Sequence, residues 1–591
     1  MTGLRVHKKV HVIQEGLAVC NPVVLNPICA HPSQQKSLLN SLKISDIADH
    51  KYYLEGDERR LLRRDVCTQG TRVRILANIT RWANDTSSES QTVYWLFGPA
   101  GSGKSTIAYT IARRFEFAGD ADDMTTLGGN FFCSRLFEET RRAKLIIRTI
   151  VFHLALKCKP FADALSHSGR FETVHHNVRA QLEGLLIGPW HECQATRLAD
   201  PFLPPHYLIV IDALDEIDGK GGSEFLRDLL DVINEHRLQG LKFFATSRPD
   251  PDLATHLESF ENKQLYRLEQ VPIEEAQADI ATYLKISLPD FAVRPEMERL
   301  VVQAAGLFIY AATVVKYLED YKLPEQEEIV DELCSSSNLA ILNTSLDETP
   351  LLDGLYLRIL SDAFLGLKTD VRTRRLHIFY TFLCTAERTS TSVAVDLLFS
   401  SNKTSSTSPY TSIADEILSR LHAVLYTEHG KVLWYHKSFP DFLFDENRSK
   451  DFWCNQVEHH RRLTDSCFLV MKAGLRFNIA NISSSFILDS DNCALPGEVQ
   501  RNISPALSYS CRNWDYHLSA VACSDCGPLC GTLSDFLQLR VLFWIEAMNL
   551  LGSRGLCDPM LQRAYNWVMT VSVIMMEQFM ILTLLFSMTW H

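Results

Sequence analysis

Gly98-Pro-Ala-Gly-Ser-Gly-Lys-Ser105 decides how this chain is read. It fits the phosphate-loop pattern G-x-x-x-x-G-K-[ST] at every fixed position. Before it, Val93-Tyr-Trp-Leu-Phe97 is short, apolar and aromatic, the signature of a buried parallel strand. After it, Thr106-Ile-Ala-Tyr-Thr-Ile-Ala-Arg-Arg114 spaces its apolar residues as a helix does. A strand, a glycine-rich turn and a helix start together form an anion cradle, in which backbone N–H groups and the helix dipole face the phosphates. The candidate phosphate-binding residues are Gly98, Pro99, Ala100, Gly101, Ser102, Gly103, Lys104, Ser105 and Thr106. Lys104 is placed to reach the β- and γ-phosphates, and Ser105 to offer its hydroxyl to Mg²⁺.

A second motif lies downstream. The apolar run Tyr207-Leu-Ile-Val-Ile211 is followed by Asp212-Ala-Leu-Asp-Glu216. An acidic residue at the tip of a parallel strand sits at the sheet's carboxyl edge, where such folds bind ligands. Asp212 is the candidate second Mg²⁺ ligand, with Ser105. Asp215 and Glu216 follow on the turn, and Glu216 is the better candidate to orient or deprotonate an attacking water. The strand from Lys242 ends in Thr246-Ser-Arg-Pro249, which brings Arg248 to the same edge, either to meet a γ-phosphate or as a surface arginine before a proline. No Asn-Lys-x-Asp signal follows, which favours ATP over GTP.

Composition bounds the rest. The chain has 591 residues, 46% of them hydrophobic and 22% charged, which is ordinary globular usage. The formal net charge of −12 argues against broad nucleic-acid binding. Sixteen cysteines without a secretory leader point to a reducing, cytoplasmic setting with free thiols. Thr71 to Trp82 reads as an amphipathic helix, Gly129 to Cys133 as a strand, Ala143 to Lys157 as an apolar helix, and Lys159 to Pro205 as irregular. Strands alternating with helices predict a doubly wound parallel sheet. From Val271 the pattern turns helical, with Ile273 to Leu284, Glu296 to Leu318 and Leu355 to Leu365 as helices, and Lys431 to Tyr435 as a strand.

Some signals stay open. Cys523, Cys526, Cys530 and His517 could supply zinc ligands or be unpaired loop groups. Arg59 to Arg64 reads as a solvated helix face, and Ser400 to Ser412 as a polar loop. Val568 to Trp590 nears the length of a membrane span, but Glu577 and Gln578 near its centre make a buried or incomplete terminal helix the better reading.

Taken together, the three nucleotide motifs resemble the NACHT class of STAND NTPases, signalling ATPases related to NOD-like receptors, and in particular the large fungal NACHT families with a nephrocystin-3-like N-terminal type. Cys67 to Arg72 with Trp82 resembles the start of that domain, and Phe131 to Arg135 its second strand. Gly306 to Ala312 is similar to the helical-domain motif, His436-Lys-Ser-Phe-Pro-Asp-Phe-Leu443 to the winged-helix motif, and Arg512 to Leu518 with Phe543 to Glu546 to the downstream helical segment. The resemblance implies an α/β P-loop NTPase followed by mostly α-helical domains including a winged helix. The implied division is a variable segment 1–65, a nucleotide domain 66–260, a helical domain 261–345, a winged-helix-like domain 346–450 and a helical region 451–591. It further implies a switch: ADP holds the domains closed, and exchange for ATP permits self-oligomerisation under the control of an unidentified ligand and effector, in non-self recognition or programmed cell death. His436 matches the histidine that contacts the β-phosphate in related switches, or is a packed histidine at a strand end. The family's usual aspartate beside it is Lys437 here. A mechanochemical ATPase acting on a polymer and a non-hydrolysing scaffold are the rival readings.

Overall fold

The computed structural model describes residues 39, 41–51, 65–87, 89–116, 123–167, 169–200, 202–236, 238–249, 251–258, 260–335, 349–399, 410–428, 430–483, 492–521 and 527–571. Five parallel strands form one sheet in the order β2-β3-β4-β1-β5: β1 Val93–Phe97, β2 Thr125–Phe132, β3 His206–Asp212, β4 Leu241–Ser247 and β5 Lys263–Arg267. The alternation of side chains along each strand feeds two cores. Tyr94, Leu96, Leu208, Val210 and Phe244 face one side, where helices α1 (Val73–Asn84) and α2 (Lys104–Glu116) cover them. Val93, Trp95, Phe97, Ile209, Ile211 and Phe243 face the other, under α3 (Ala143–Lys157) and α4 (Gly221–Glu235). Helices on both faces make the sheet doubly wound, as the strand–helix alternation predicts.

Three expectations need correction. The described residues between 159 and 199 are not irregular: they form short helices from Lys159–Leu165 to Gln194–Ala199, with Pro160 and Pro189 tolerated in first turns. The strand expected from Gly129 begins at Thr125. The span from Glu296 to Leu318 is not one helix. After α5 (Ile273–Ser287), α6 (Pro295–Ala304) stops where Ala305 and Gly306 take positive φ (47° and 84°), and α7 (Phe308–Leu318) starts as a separate helix. Apolar spacing alone cannot see such a stop.

A further core runs from Ile280 to Leu463, and another from Val393 to Val568. The first contains an antiparallel hairpin, β6 (Leu425–Glu428) and β7 (Lys431–Trp434), between helix Tyr410–Arg420 and the short α8 (Ser438–Leu443). The second centres on α9 (Gln456–Gly474) and α10 (Pro505–Ser519). Cys523 and Cys526 of the zinc reading, Arg59 to Arg64, most of Ser400 to Ser412, and the apolar tail beyond Val571 lie outside the described residues. Among the described residues no helix is long and apolar enough to cross a membrane.

Candidate nucleotide site

The strand order sets the site. β4 lies between β1 and β3, so the glycine-rich turn after β1, the acidic turn after β3 and the arginine turn after β4 share one sheet edge. They line a cavity of about 420 Å³ together with residues from the helical part of the chain. Of the predicted loop residues, Ala100, Gly101, Gly103, Lys104, Ser105 and Thr106 line it; Gly98, Pro99 and Ser102 form the loop's frame behind. Ser102 Oγ donates to Pro99 O at 2.9 Å, and Lys104 Nζ donates to Gly98 O at 2.7 Å and Pro99 O at 2.8 Å.

Lys104 is buried, and burial brings its ammonium down to about 8; Arg248 adds to the fall, while Asp215, Asp212 and Glu216 oppose it. Asp212, Asp215, Glu216 and Arg248 all line the same cavity. Asp212 is 2% exposed, and its Oδ1 accepts from Thr246 Oγ1 at 2.6 Å. The same Thr246 oxygen accepts the Ala213 N–H at 2.9 Å. Ala213 has φ 56°, so the chain turns sharply after Asp212 and carries the next carboxylates along the edge. Asp215 Oδ1 accepts the Arg248 N–H at 3.1 Å, and Arg248 Nε stands 3.4 Å from Asp215 Oδ2. Glu216 Oε2 accepts the Arg135 N–H at 3.0 Å, and burial raises its carboxyl above the usual range, with Lys437 opposing.

The opposite wall comes from far along the chain. Tyr283, Phe308, Ile309 and Ala312 line the cavity from α5 and α7, and Tyr426, Trp434, Tyr435, His436 and Lys437 from the hairpin β6–β7 and the turn after it. The Ile309 N–H donates to Gly101 O at 3.1 Å, so the start of α7 rests on the phosphate loop itself. Gly101 is needed twice there: its φ is +79°, and a Cβ would meet Ile309 Cγ2 at 2.1 Å. His436 Nδ1 accepts the Ser438 N–H at 3.1 Å, which leaves the ring proton on Nε2. Burial, with Arg248, Lys104 and Lys437 nearby, pushes this imidazole down to about 3, so it is neutral.

Sequence reading missed several members. Arg72, at φ 55° before α1, is buried; its Nη2 donates to Ser102 O at 2.8 Å, and its guanidinium lies 4.6 Å from the Phe308 ring centre. Thr246 and Asp441 were within quoted motifs but without a role. Their partners lie 34 and 193 residues away, which no local pattern reveals.

The model of the Nephrocystin 3, N-terminal family matches residues 70–248, the stretch from α1 to the arginine turn. No curated protein matches the chain. Among solved structures, the chain is similar to the Walker-type ATPase PABY2304 of Pyrococcus abyssi (14% identity, TM-score 0.30, covering 64% of this chain and 98% of that one). It is also similar to a chain of the Drosophila ORC bound to DNA (14% identity, TM-score 0.25, covering 65% of this chain and 97% of that one). Sheet, phosphate loop and acidic turn give this part of the chain the architecture of a P-loop NTPase.

Proposed function

We propose that the protein binds ADP and ATP with Mg²⁺ in this cavity, hydrolyses ATP slowly, and uses nucleotide exchange as a signalling switch of the STAND type. The observation that carries this reading is the double lining of the cavity. One wall is the phosphate loop and acidic turn; the other is the start of α7 and the turn after β7. A ligand that touches both walls shifts their relative position by whatever its affinity differs between arrangements.

Lys104 would hold the phosphates, with the loop N–H groups beneath them. Ser105 and Asp212 are hard oxygen donors on one side of the cavity, a set that suits Mg²⁺. When bound, that ion neutralises phosphate charge. Glu216 is the residue to orient the attacking water, with Asp215 holding Arg248 at the phosphate end. The neutral His436 offers Nε2–H as a donor to a phosphate oxygen. Tyr283 and Phe308, ring centres 6.3 Å apart, provide an apolar end for a base. We read the helix–hairpin–helix unit around β6 and β7 as the winged helix, and self-assembly as the output of opening.

Glu216→Gln should retain nucleotide binding and slow ATP turnover about 100-fold or more. An undiminished rate moves the water-orienting role elsewhere. Mass measurement in solution with Mg·ADP and with a slowly hydrolysed ATP analogue tests the switch. A larger assembly with the triphosphate supports it; identical masses count against self-assembly as the output.

A further inference from the structure

The turn after β7 brings unusual charge to the cavity. Lys437 Nζ lies 3.7 Å from Asp215 Oδ2 and 4.0 Å from Glu216 Oε1. Its side chain is only 12% exposed. Four residues on, Asp441 of α8 accepts from Arg248 Nη1 at 3.1 Å, and Arg248 in turn leans on Asp215. Two cations, one from each wall, are thus shared among three carboxylates, of which Asp215 and Glu216 line the cavity.

The two cations are not equivalent. Arg248 is fixed by two hydrogen bonds, one from its guanidinium to Asp441 and one from its backbone N–H to Asp215. Lys437 stands beyond hydrogen-bond range of both carboxylates, held by charge in a poorly solvated place rather than by a fixed contact. It is the cation free to change partner. Across the cavity, Lys104 sits within the electrostatic reach of Asp215, Asp212 and Glu216. A phosphate chain that began on the loop and Lys104 would lie in the cavity that Asp215 and Glu216 also line. The last phosphate of a triphosphate would set negative charge against Asp215 and Glu216, and Lys437 is the cation poised to answer it.

We propose that Lys437 is a second phosphate-binding cation of this cavity, supplied by the opposite wall, which exchanges Asp215 and Glu216 for the terminal phosphate of a triphosphate and so sets the preference for ATP over ADP. This rests on the reading of the cavity as a nucleotide site. A diphosphate is one phosphoryl group shorter and leaves Lys437 with the carboxylates. Tri- and diphosphate then differ in what they do to the Lys437 contacts between the β7–α8 turn and the acidic turn. A purely structural ion pair, by contrast, would treat the two nucleotides alike.

The test compares affinities of the full chain for Mg·ADP and for a Mg-bound, slowly hydrolysed ATP analogue. Lys437→Met should weaken the triphosphate about tenfold or more, the scale of a charge-assisted phosphate contact, and leave ADP within about twofold. Lys437→Arg should restore most of the loss. An equal loss for both nucleotides, or none for either, overturns the proposal. If Lys437→Met does not fold, Glu216→Gln answers the same question: with one competitor removed, triphosphate affinity should rise and ADP affinity stay level, and no rise overturns it. Wild-type protein that binds neither nucleotide brings down the nucleotide reading itself, an outcome distinct from the others.

Discussion

Lys104 carries the charge balance of the site. It is a buried lysine whose ammonium titrates near 8 rather than at its usual value, because burial outweighs three nearby carboxylates. A bound polyphosphate favours the charged form, so binding above that pH must draw in a proton. The sign follows: affinity for Mg·ADP should be insensitive to this group below about pH 8 and should fall by up to about tenfold per unit above it. Titrations between about pH 7.5 and 9.5 check this, and a flat profile contradicts it. At this scale the sequence was most legible where chemistry demands contiguous residues. Gly98 to Ser105, Asp212, Asp215, Glu216, Arg248 and His436 all line or frame one cavity. Arg72, Thr246 and Asp441 were not legible as site residues, because their roles exist only once strands and domains meet.

Among elements, the contact between the phosphate loop and the start of α7 matters most. It exists because the predicted continuous helix breaks at Ala305 and Gly306, which turns the Ile309 N–H toward Gly101 O. Gly101→Ala should cost about 1–2 kcal/mol in backbone strain and a further ~1–3 kcal/mol from overpacking against Ile309. Adding Ile309→Ala should recover the second part only, which calorimetric melting can resolve; no recovery would mean that the loop and α7 are not in contact in solution. The helix α3 was legible to the residue, since its pattern is long and apolar on a buried side. The edge strand β5, Lys-Gln-Leu-Tyr-Arg, was not, because an edge strand buries little and its sequence carries no apolar run.

On the scale of the whole molecule, the second half of the chain is held by buried polar rings as well as by apolar contact. His460 and His517 meet Nδ1 to Nδ1 at 2.9 Å, His517 Nε2 reaches Tyr509 Oη at 2.8 Å, and His459 Nε2 reaches Thr381 Oγ1 at 3.0 Å. Burial pushes His460 down to about 4 and the other two well below the ordinary imidazole value. Groups depressed in the folded state are neutral there while the unfolded chain takes up protons below about pH 6.5. Their contribution is therefore intact at neutral pH and lost as the pH falls from about 6.5 toward 4, by about 2 kcal/mol at pH 5 for His460. Melting temperature should drop steeply over that window, and His459→Gln should flatten the drop; an unchanged slope would show that the rings do not titrate with unfolding. How the helical bodies meet the sheet was the least legible feature. The period of a helix tells which face is buried, not which neighbour buries it.

The proposed switch depends on one cavity gripping a nucleotide through Lys104. Isothermal titration of Mg·ADP into wild-type protein and into Lys104→Ala tests it most directly. The wild type should bind saturably and at an equimolar ratio, and the variant should show no measurable binding at the same concentrations. Equal affinity in the two proteins would contradict it.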